Sequence, residues 1–301
     1  MRTSPTKTHA SLVALTAAIF ISAAAAAQGQ RDAAARKTAG AEQTVVFAVQ
    51  KYEAEAQIDP VAVISGGRYA APPLGGDTPL ETARFKRFVR DFYRPGRKFR
   101  VLFGGGEAGS VEVRKYLEPG CVGMEASVTL QTSARLGGQV AALATNSAAL
   151  GRGKGTRRAP TDAERTAALE LARRAFGRNK VAAARVAKME TNNLTAADLN
   201  GDGRAELIGS FIITGEFGVE DALLLIAEPG IDDFAVTLDW FHHGAEADSH
   251  YRRLVDVLDL DGDGAAEVIV QGIYYESHDY FIYKKQRGAW RVVYQGGGGG
   301  C

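Results

Sequence analysis

Two short segments carry acidic residues at the same alternating spacing. The first reads DLNGDGRAELI from Asp198, and the second reads DLDGDGAAEVI from Asp259. Side-chain oxygens occupy the first, third, fifth and ninth positions of both segments, at Asp198, Asn200, Asp202 and Glu206 and at Asp259, Asp261, Asp263 and Glu267. Glycines between them accept positive φ without a Cβ clash, so a tight turn is possible. The spacing predicts two loops that each direct several oxygens toward one point.

Calcium is the cation that this set of ligands suits best. Ca²⁺ takes about six to eight hard oxygen ligands in irregular geometry, whereas Mg²⁺ demands an octahedron and keeps its waters. Backbone carbonyls at the seventh positions, Arg204 and Ala265, are predicted as further ligands, with water completing the shell. An EF-hand is excluded, because its twelfth-position glutamate is replaced by Gly209 and Val270. We therefore predict two calcium ions, one in each loop, with a metal-free solvated turn as the alternative.

The loop motif also resembles a known family. The pattern D-x-[DN]-x-D-G-x-x-E, followed by an apolar strand, is similar to the calcium loop of FG-GAP and VCBS repeats, and the resemblance extends over residues 185–295. In that family the loop binds calcium and stabilises β-propeller blades that serve in adhesion or recognition. The resemblance implies blade-like sheets and a non-enzymatic role in structure or binding.

The elements that must position the two loops are short strands. We predict one four-stranded meander from strands at 185–189, 206–214, 221–228 and 234–241, and a second from strands at 251–258, 267–275, 279–284 and 289–294. Each loop then joins the first strand of its meander to the second. Two adjacent propeller blades or one sandwich would both satisfy this pattern. Thr161 and Glu164 form a capping-box signal for a helix before the first meander.

The preceding part of the chain predicts a different kind of domain. Residues 44–150 contain one amphipathic helix, with Thr78 and Glu81 as its capping box, and about six strands separated by glycine-rich turns. Residues 151–160 are rich in glycine and basic residues and predict a solvated linker. The fold class expected is an α+β domain followed by a mainly β domain over residues 161–301.

The first residues of the chain carry an export signal. Residues 1–27 combine an early basic region, an apolar run and a small-residue end, which is the pattern of a signal peptide, and residues 28–43 predict a disordered leader. The apolar run is shorter than the roughly 20 residues of a membrane span, so we expect no transmembrane span. A periplasmic, extracellular or cell-surface location follows. The formal net charge of +1 gives no reason to expect nucleic acid as a partner.

Two cysteines, Cys121 and Cys301, are present. In an oxidising compartment two thiols commonly form one disulfide, so we predict that they are joined, with two separate free thiols as the alternative. Cys301 follows the pentaglycine at 296–300, which we interpret as a flexible segment. That segment would let Cys301 reach back to Cys121, or it would present Cys301 as a surface attachment point of an adhesin.

Two weaker patterns allow other functions. Histidines and acids cluster in one predicted turn and could ligate zinc or serve a secreted hydrolase, namely His242, His243, Glu246, Asp248 and His250. Aromatic residues in the last meander could stack on a glycan. The leading hypothesis is an exported, non-enzymatic calcium-binding protein, with a surface protein or a glycan as its partner. The alternative is a hydrolase whose catalytic residues are scattered through the chain.

Overall fold

A computed structural model describes residues 43–74, 78–118, 123–216, 218–231, 233–244 and 248–300. The predicted signal peptide, all but the last residue of the predicted leader, both cysteines and Glu246 lie outside these ranges. Export and the Cys121–Cys301 disulfide therefore stay predictions. No helix in the described ranges has both the length and the apolar character of a membrane span.

The described residues form fifteen strands and three helices. The helices are α1 (Pro79–Phe92), α2 (Asp162–Arg178) and α3 (Ala183–Val186). The strands are β1 (Thr44–Tyr52), β2 (Glu55–Ser65), β3 (Arg68–Ala70), β4 (Lys98–Phe103), β5 (Gly106–Leu117), β6 (Glu125–Thr132), β7 (Ala142–Thr145), β8 (Glu190–Ala197), β9 (Glu206–Gly215), β10 (Gly218–Pro229), β11 (Phe234–His243), β12 (Tyr251–Leu258), β13 (Glu267–Ile273), β14 (Ser277–Gln286) and β15 (Ala289–Gly300). Both predicted capping boxes are confirmed, at Thr78–Glu81 and Thr161–Glu164.

Six of the first seven strands build a closed barrel. The order β1-β7-β4-β5-β6-β2 closes because β1 also pairs with β2, and β3 extends β2. Strand β1 is buried on both faces. Phe47 packs with α1 residues Phe88 and Phe92, whereas Val46 and Ala48 face the opposite side. A closed barrel leaves none of its six strands with a free edge. The sequence predicts the helix and the strands of this region but not the closure of the barrel.

Two four-stranded antiparallel sheets follow the barrel, as predicted. Sheet I has the order β11-β10-β9-β8, and sheet II has the order β12-β13-β14-β15. The sheets stack face to face through one apolar cluster that includes Ile208 and Leu224 from sheet I and Val268 and Phe281 from sheet II. The outer face of sheet I is covered by α2, and that of sheet II packs on the barrel. The layers thus run from α2 through sheets I and II to the barrel.

The first strand of the first meander was placed wrongly. Residues 185–189 do not form it; the strand is β8, Glu190–Ala197, and helix α3 lies just before it. The segment around Arg185 is rich in alanine, which has the highest helix propensity, and this favours α3. The strand instead directly precedes Asp198, so the acidic loop starts where β8 ends.

The pentaglycine is part of a strand, contrary to the prediction of a flexible segment. Gly299 and Gly300 pair with His278 and Ser277 of β14. A Cβ added at Gly297 would lie 2.6 Å from the carbonyl oxygen of Pro60, so only glycine lets β15 approach β2 this closely. The glycines thereby dock sheet II onto the barrel.

Part of the segment 151–160 packs against the rest of the protein, whereas the sequence predicted a solvated linker. Arg157 is 8% exposed, and its guanidinium lies 3.1 Å from the carboxylate of Asp256 in β12. Arg158 exchanges backbone hydrogen bonds with Ala196 of β8. This segment therefore contacts both sheets as it passes from the barrel to α2.

Candidate metal sites

The first acidic loop, residues 198–206, connects β8 to β9. The carboxylate of Asp198 accepts hydrogen bonds from the backbone amides of Gly201 and Gly203, both at 2.8 Å. The side-chain amide of Asn200 lies 3.3 Å from an oxygen of Asp202 and 3.3 Å from an oxygen of Glu206. The structure therefore brings Asn200, Asp202 and Glu206 together. In the described part of the chain, however, the three acids Asp198, Asp202 and Glu206 do not form a group whose ligand atoms all lie within 4.8 Å of one another.

The second loop, residues 259–267, connects β12 to β13 in the same way. Asp259 accepts from the amides of Gly262 at 2.7 Å and Gly264 at 3.0 Å. One oxygen from each of Asp259, Asp261 and Glu267 can be chosen so that all lie within 4.8 Å of one another. Such a group can hold a metal ion.

The glycines of both loops adopt the positive φ that the sequence predicts for a tight turn. The four loop glycines all have positive φ, at 75° for Gly201, 84° for Gly203, 80° for Gly262 and 90° for Gly264. An L-residue with a Cβ rarely adopts these angles, so the glycines make the turns possible. The loops also touch, because the amide of Ala266 donates to the carbonyl of Leu199 at 2.7 Å.

The last acid of each loop is buried and aimed inward. Glu206 is 2% exposed and Glu267 is fully buried, and each accepts a 2.8 Å hydrogen bond from a leucine amide, Leu199 or Leu260. Burial raises the pKa of both carboxyls, with the leucine amides acting against the shift. A cation beside them would favour the charged form.

A lysine distinguishes the second loop from the first. The ammonium of Lys284, on β14, lies 2.6 Å from Asp261, 2.7 Å from Asp263 and 2.9 Å from Glu267. Burial lowers the pKa of Lys284, but the hydrogen bonds that its ammonium donates to these carboxylates outweigh burial and raise the pKa. Ala227 pairs with Leu207 in sheet I, and Tyr283 pairs with Val268 at the equivalent position of sheet II. The residue of sheet I that corresponds to Lys284 is therefore Glu228. The second loop thus holds an internal cation.

One buried polar atom stands close to the second loop. The Tyr69 hydroxyl is buried and has no hydrogen-bond partner among the described residues. Burial raises the pKa of Tyr69, and the charges of Glu267 and Asp261 raise it further.

The donor set of both loops, carboxylates with an amide in the first, fits a hard cation such as calcium. The carbonyls of Arg204 and Ala265 stay predicted ligands.

The histidines of the predicted zinc turn have separate partners. His242 Nε2 lies 2.6 Å from the carbonyl oxygen of Asp248, and His243 Nδ1 lies 2.7 Å from the carboxylate of Asp221. The ring of His250 stacks on Tyr274 with centroids 4.2 Å apart, and burial lowers its pKa to about 4. The described histidines of this turn thus form no common group with acids that could hold a metal.

A third group of ligands was missed from the sequence. Asp59 of β2, Glu125 of β6 and His278 of β14 can place one ligand atom each within 4.8 Å of one another. The three residues are far apart in the chain and follow no local motif. Only the pairing of β2 with β6, together with the docking of sheet II on the barrel, brings them together.

Comparisons of the chain with protein-family models, with curated proteins and with solved structures found no match. The resemblance to FG-GAP and VCBS repeats therefore rests on the loop motif alone.

Proposed function

We propose that this chain is an exported, non-enzymatic protein that binds two calcium ions and serves a structural or recognition role. The observation that carries the proposal is the duplicated loop, which repeats three of its four ligand side chains, its glycine conformations and its leucine-amide contacts at equivalent corners of two sheets. Asp198, Asn200, Asp202 and Glu206 would hold one ion, and Asp259, Asp261, Asp263 and Glu267 the other. The resemblance to FG-GAP and VCBS loops supports calcium as the ion.

The position of the loops supports a structural use of the metal. Each loop joins the first two strands of its sheet. In addition, the Thr156 hydroxyl donates a 3.1 Å hydrogen bond to the backbone carbonyl of Asp198 in the first loop. Calcium in these loops would therefore fasten both sheets and the segment that leads from the barrel to α2. The stabilised surface would then serve to bind a surface protein or a glycan.

Removing one carboxylate from either loop should remove one ion. We expect Asp202→Ala and Asp263→Ala each to bind one calcium per chain where the native protein binds two, because each change removes a ligand and reduces the negative charge. Bound calcium is counted by elemental analysis after dialysis. Glu170→Ala is the matched control, since Glu170 is an exposed acid on α2, and should retain both ions. Two ions in Asp263→Ala would refute the ligand assignment.

Lys284 should set the affinity of the second loop. Calcium must displace an ammonium that already pairs with three carboxylates, so Lys284→Met should tighten calcium binding there by about tenfold, or about 1.4 kcal/mol. The first loop should be unaffected. Calorimetric titration of calcium measures both sites, and Lys285→Met is the control, because Lys285 pairs with Glu228 instead. Unchanged or weaker binding at the second loop in Lys284→Met would count against this account.

A further inference from the structure

The cleft between the barrel and sheet II contains a second kind of ligand set. Asp59, Glu125 and His278 all line this cleft, whose volume is about 420 Å³. Asp59 is 4% exposed, and His278 and Glu125 are partly buried. Two carboxylates and one imidazole therefore converge at a place that a small ligand can enter.

The pairing of strands explains why these side chains meet. Ile58 of β2 pairs with Ala126 of β6, which puts the adjacent residues Asp59 and Glu125 opposite one another. His278 pairs with Gly299, within the glycine run that lets β15 approach β2. The position of the histidine thus depends on the docking of the glycine strand.

One carboxylate oxygen of Asp59 is buried without a hydrogen-bond partner among the described residues. Its Oδ2 accepts a 2.6 Å hydrogen bond from the Tyr280 hydroxyl and lies 2.6 Å from His278 Nε2. Its Oδ1 is buried and has no hydrogen-bond partner among the described residues. A buried carboxylate oxygen without a partner is costly, and a cation would satisfy it.

We infer that Asp59, Glu125 and His278 bind a divalent transition-metal ion such as zinc, at a site separate from the calcium loops. An imidazole with two carboxylates is a mixed nitrogen and oxygen set that suits zinc, whereas calcium prefers oxygen alone. Three protein ligands leave a tetrahedral zinc one open position for water or a ligand. Tyr280 is the positioning residue, since its hydroxyl orients the Asp59 carboxylate.

The test is a calorimetric titration of zinc into the full exported chain, with calcium in excess to fill the loops and with any free thiols alkylated. We expect one zinc site in the native protein. His278→Ala should weaken it by about a hundredfold or more, and Glu125→Gln by about tenfold or more, since removal of supporting partners alone costs about 10- to 100-fold. Glu125→Gln preserves size, so it stays informative if His278→Ala misfolds.

His243→Ala is the matched control, because His243 also contacts an aspartate but lies outside the cleft. It should leave the zinc affinity unchanged. The absence of zinc binding by the native protein would overturn the inference. So would equal affinity in the native protein and Glu125→Gln, or an equal loss in His243→Ala.

Discussion

Replacing Arg157 by alanine should lower the free energy of unfolding by about 3–5 kcal/mol, the cost typical of breaking a buried ion pair. The side chains of Arg157 and Asp256 are 2% and 0% exposed. The guanidinium also donates to the carbonyls of Ala141 at 3.0 Å and Val255 at 2.7 Å. Asp256 accepts the Gly104 amide at 3.0 Å. This one contact joins the barrel, the connecting segment and sheet II.

The loss should also depend on pH. Burial raises the pKa of Asp256 to about 6, with Arg157 acting against the shift. Without Arg157 that pKa should rise further above its unfolded value near 4. A raised carboxyl pKa stabilises the folded state below the unfolded pKa, and that stabilisation is lost as pH rises through the folded pKa. The destabilisation of Arg157→Ala should therefore be greater at pH 7 than at pH 5.

Urea denaturation of Arg157→Ala and of its neighbour Arg158→Ala measures the loss in the free energy of unfolding. Arg158→Ala is the matched control, because the Arg158 side chain is 46% exposed and pairs with Glu164 at the surface. A surface pair contributes at most about 1 kcal/mol, so its loss should be small. The double variant Arg157→Met with Asp256→Leu should recover much of the stability, since apolar residues can replace a buried pair. If Arg157→Ala matched the native protein, the ion pair would have no such role.

The features that could be predicted from the sequence are those set by neighbouring residues. Each acidic loop contains its oxygens and glycines within nine positions, so its geometry follows from local spacing. The capping boxes of α1 and α2 also depend on residues three positions apart. The meanders follow from alternating apolar residues and turns, except that the first strand of the first meander was predicted at 185–189 and lies at Glu190–Ala197. In these cases local chemistry is enough to determine the structure.

The features that could not be predicted depend on contacts between distant parts of the chain. The barrel closes because β1 pairs with β7 and β2, and Val46 meets Thr145, far along the chain. The Arg157–Asp256 pair and the cleft group at Asp59 need the same long-range docking. Basic residues and glycine in 151–160 resemble a linker in composition, although Arg157 is buried. Likewise, the pentaglycine pattern does not reveal the close approach to Pro60 that requires it.

Calcium should raise the stability of the native protein more than any other ligand of the loops. At free calcium 100 times the dissociation constant, linkage gives about 2.7 kcal/mol for each site and so about 5 kcal/mol for both. For a folded unit of this size, that corresponds to a rise in melting temperature of roughly 10–20 °C. The physical reason is that calcium would bind carboxylates that only the folded loops hold together, such as Asp261 with Glu267. Magnesium at equal concentration should give a smaller rise.

The central claim, that both loops bind calcium, is tested most directly by the melting temperature of the full chain in excess calcium and in excess chelator. The account predicts a clearly higher melting temperature in calcium for the native protein. It predicts no difference for the double variant Asp202→Ala with Asp263→Ala. Equal melting temperatures of the native protein in calcium and in chelator would contradict the claim.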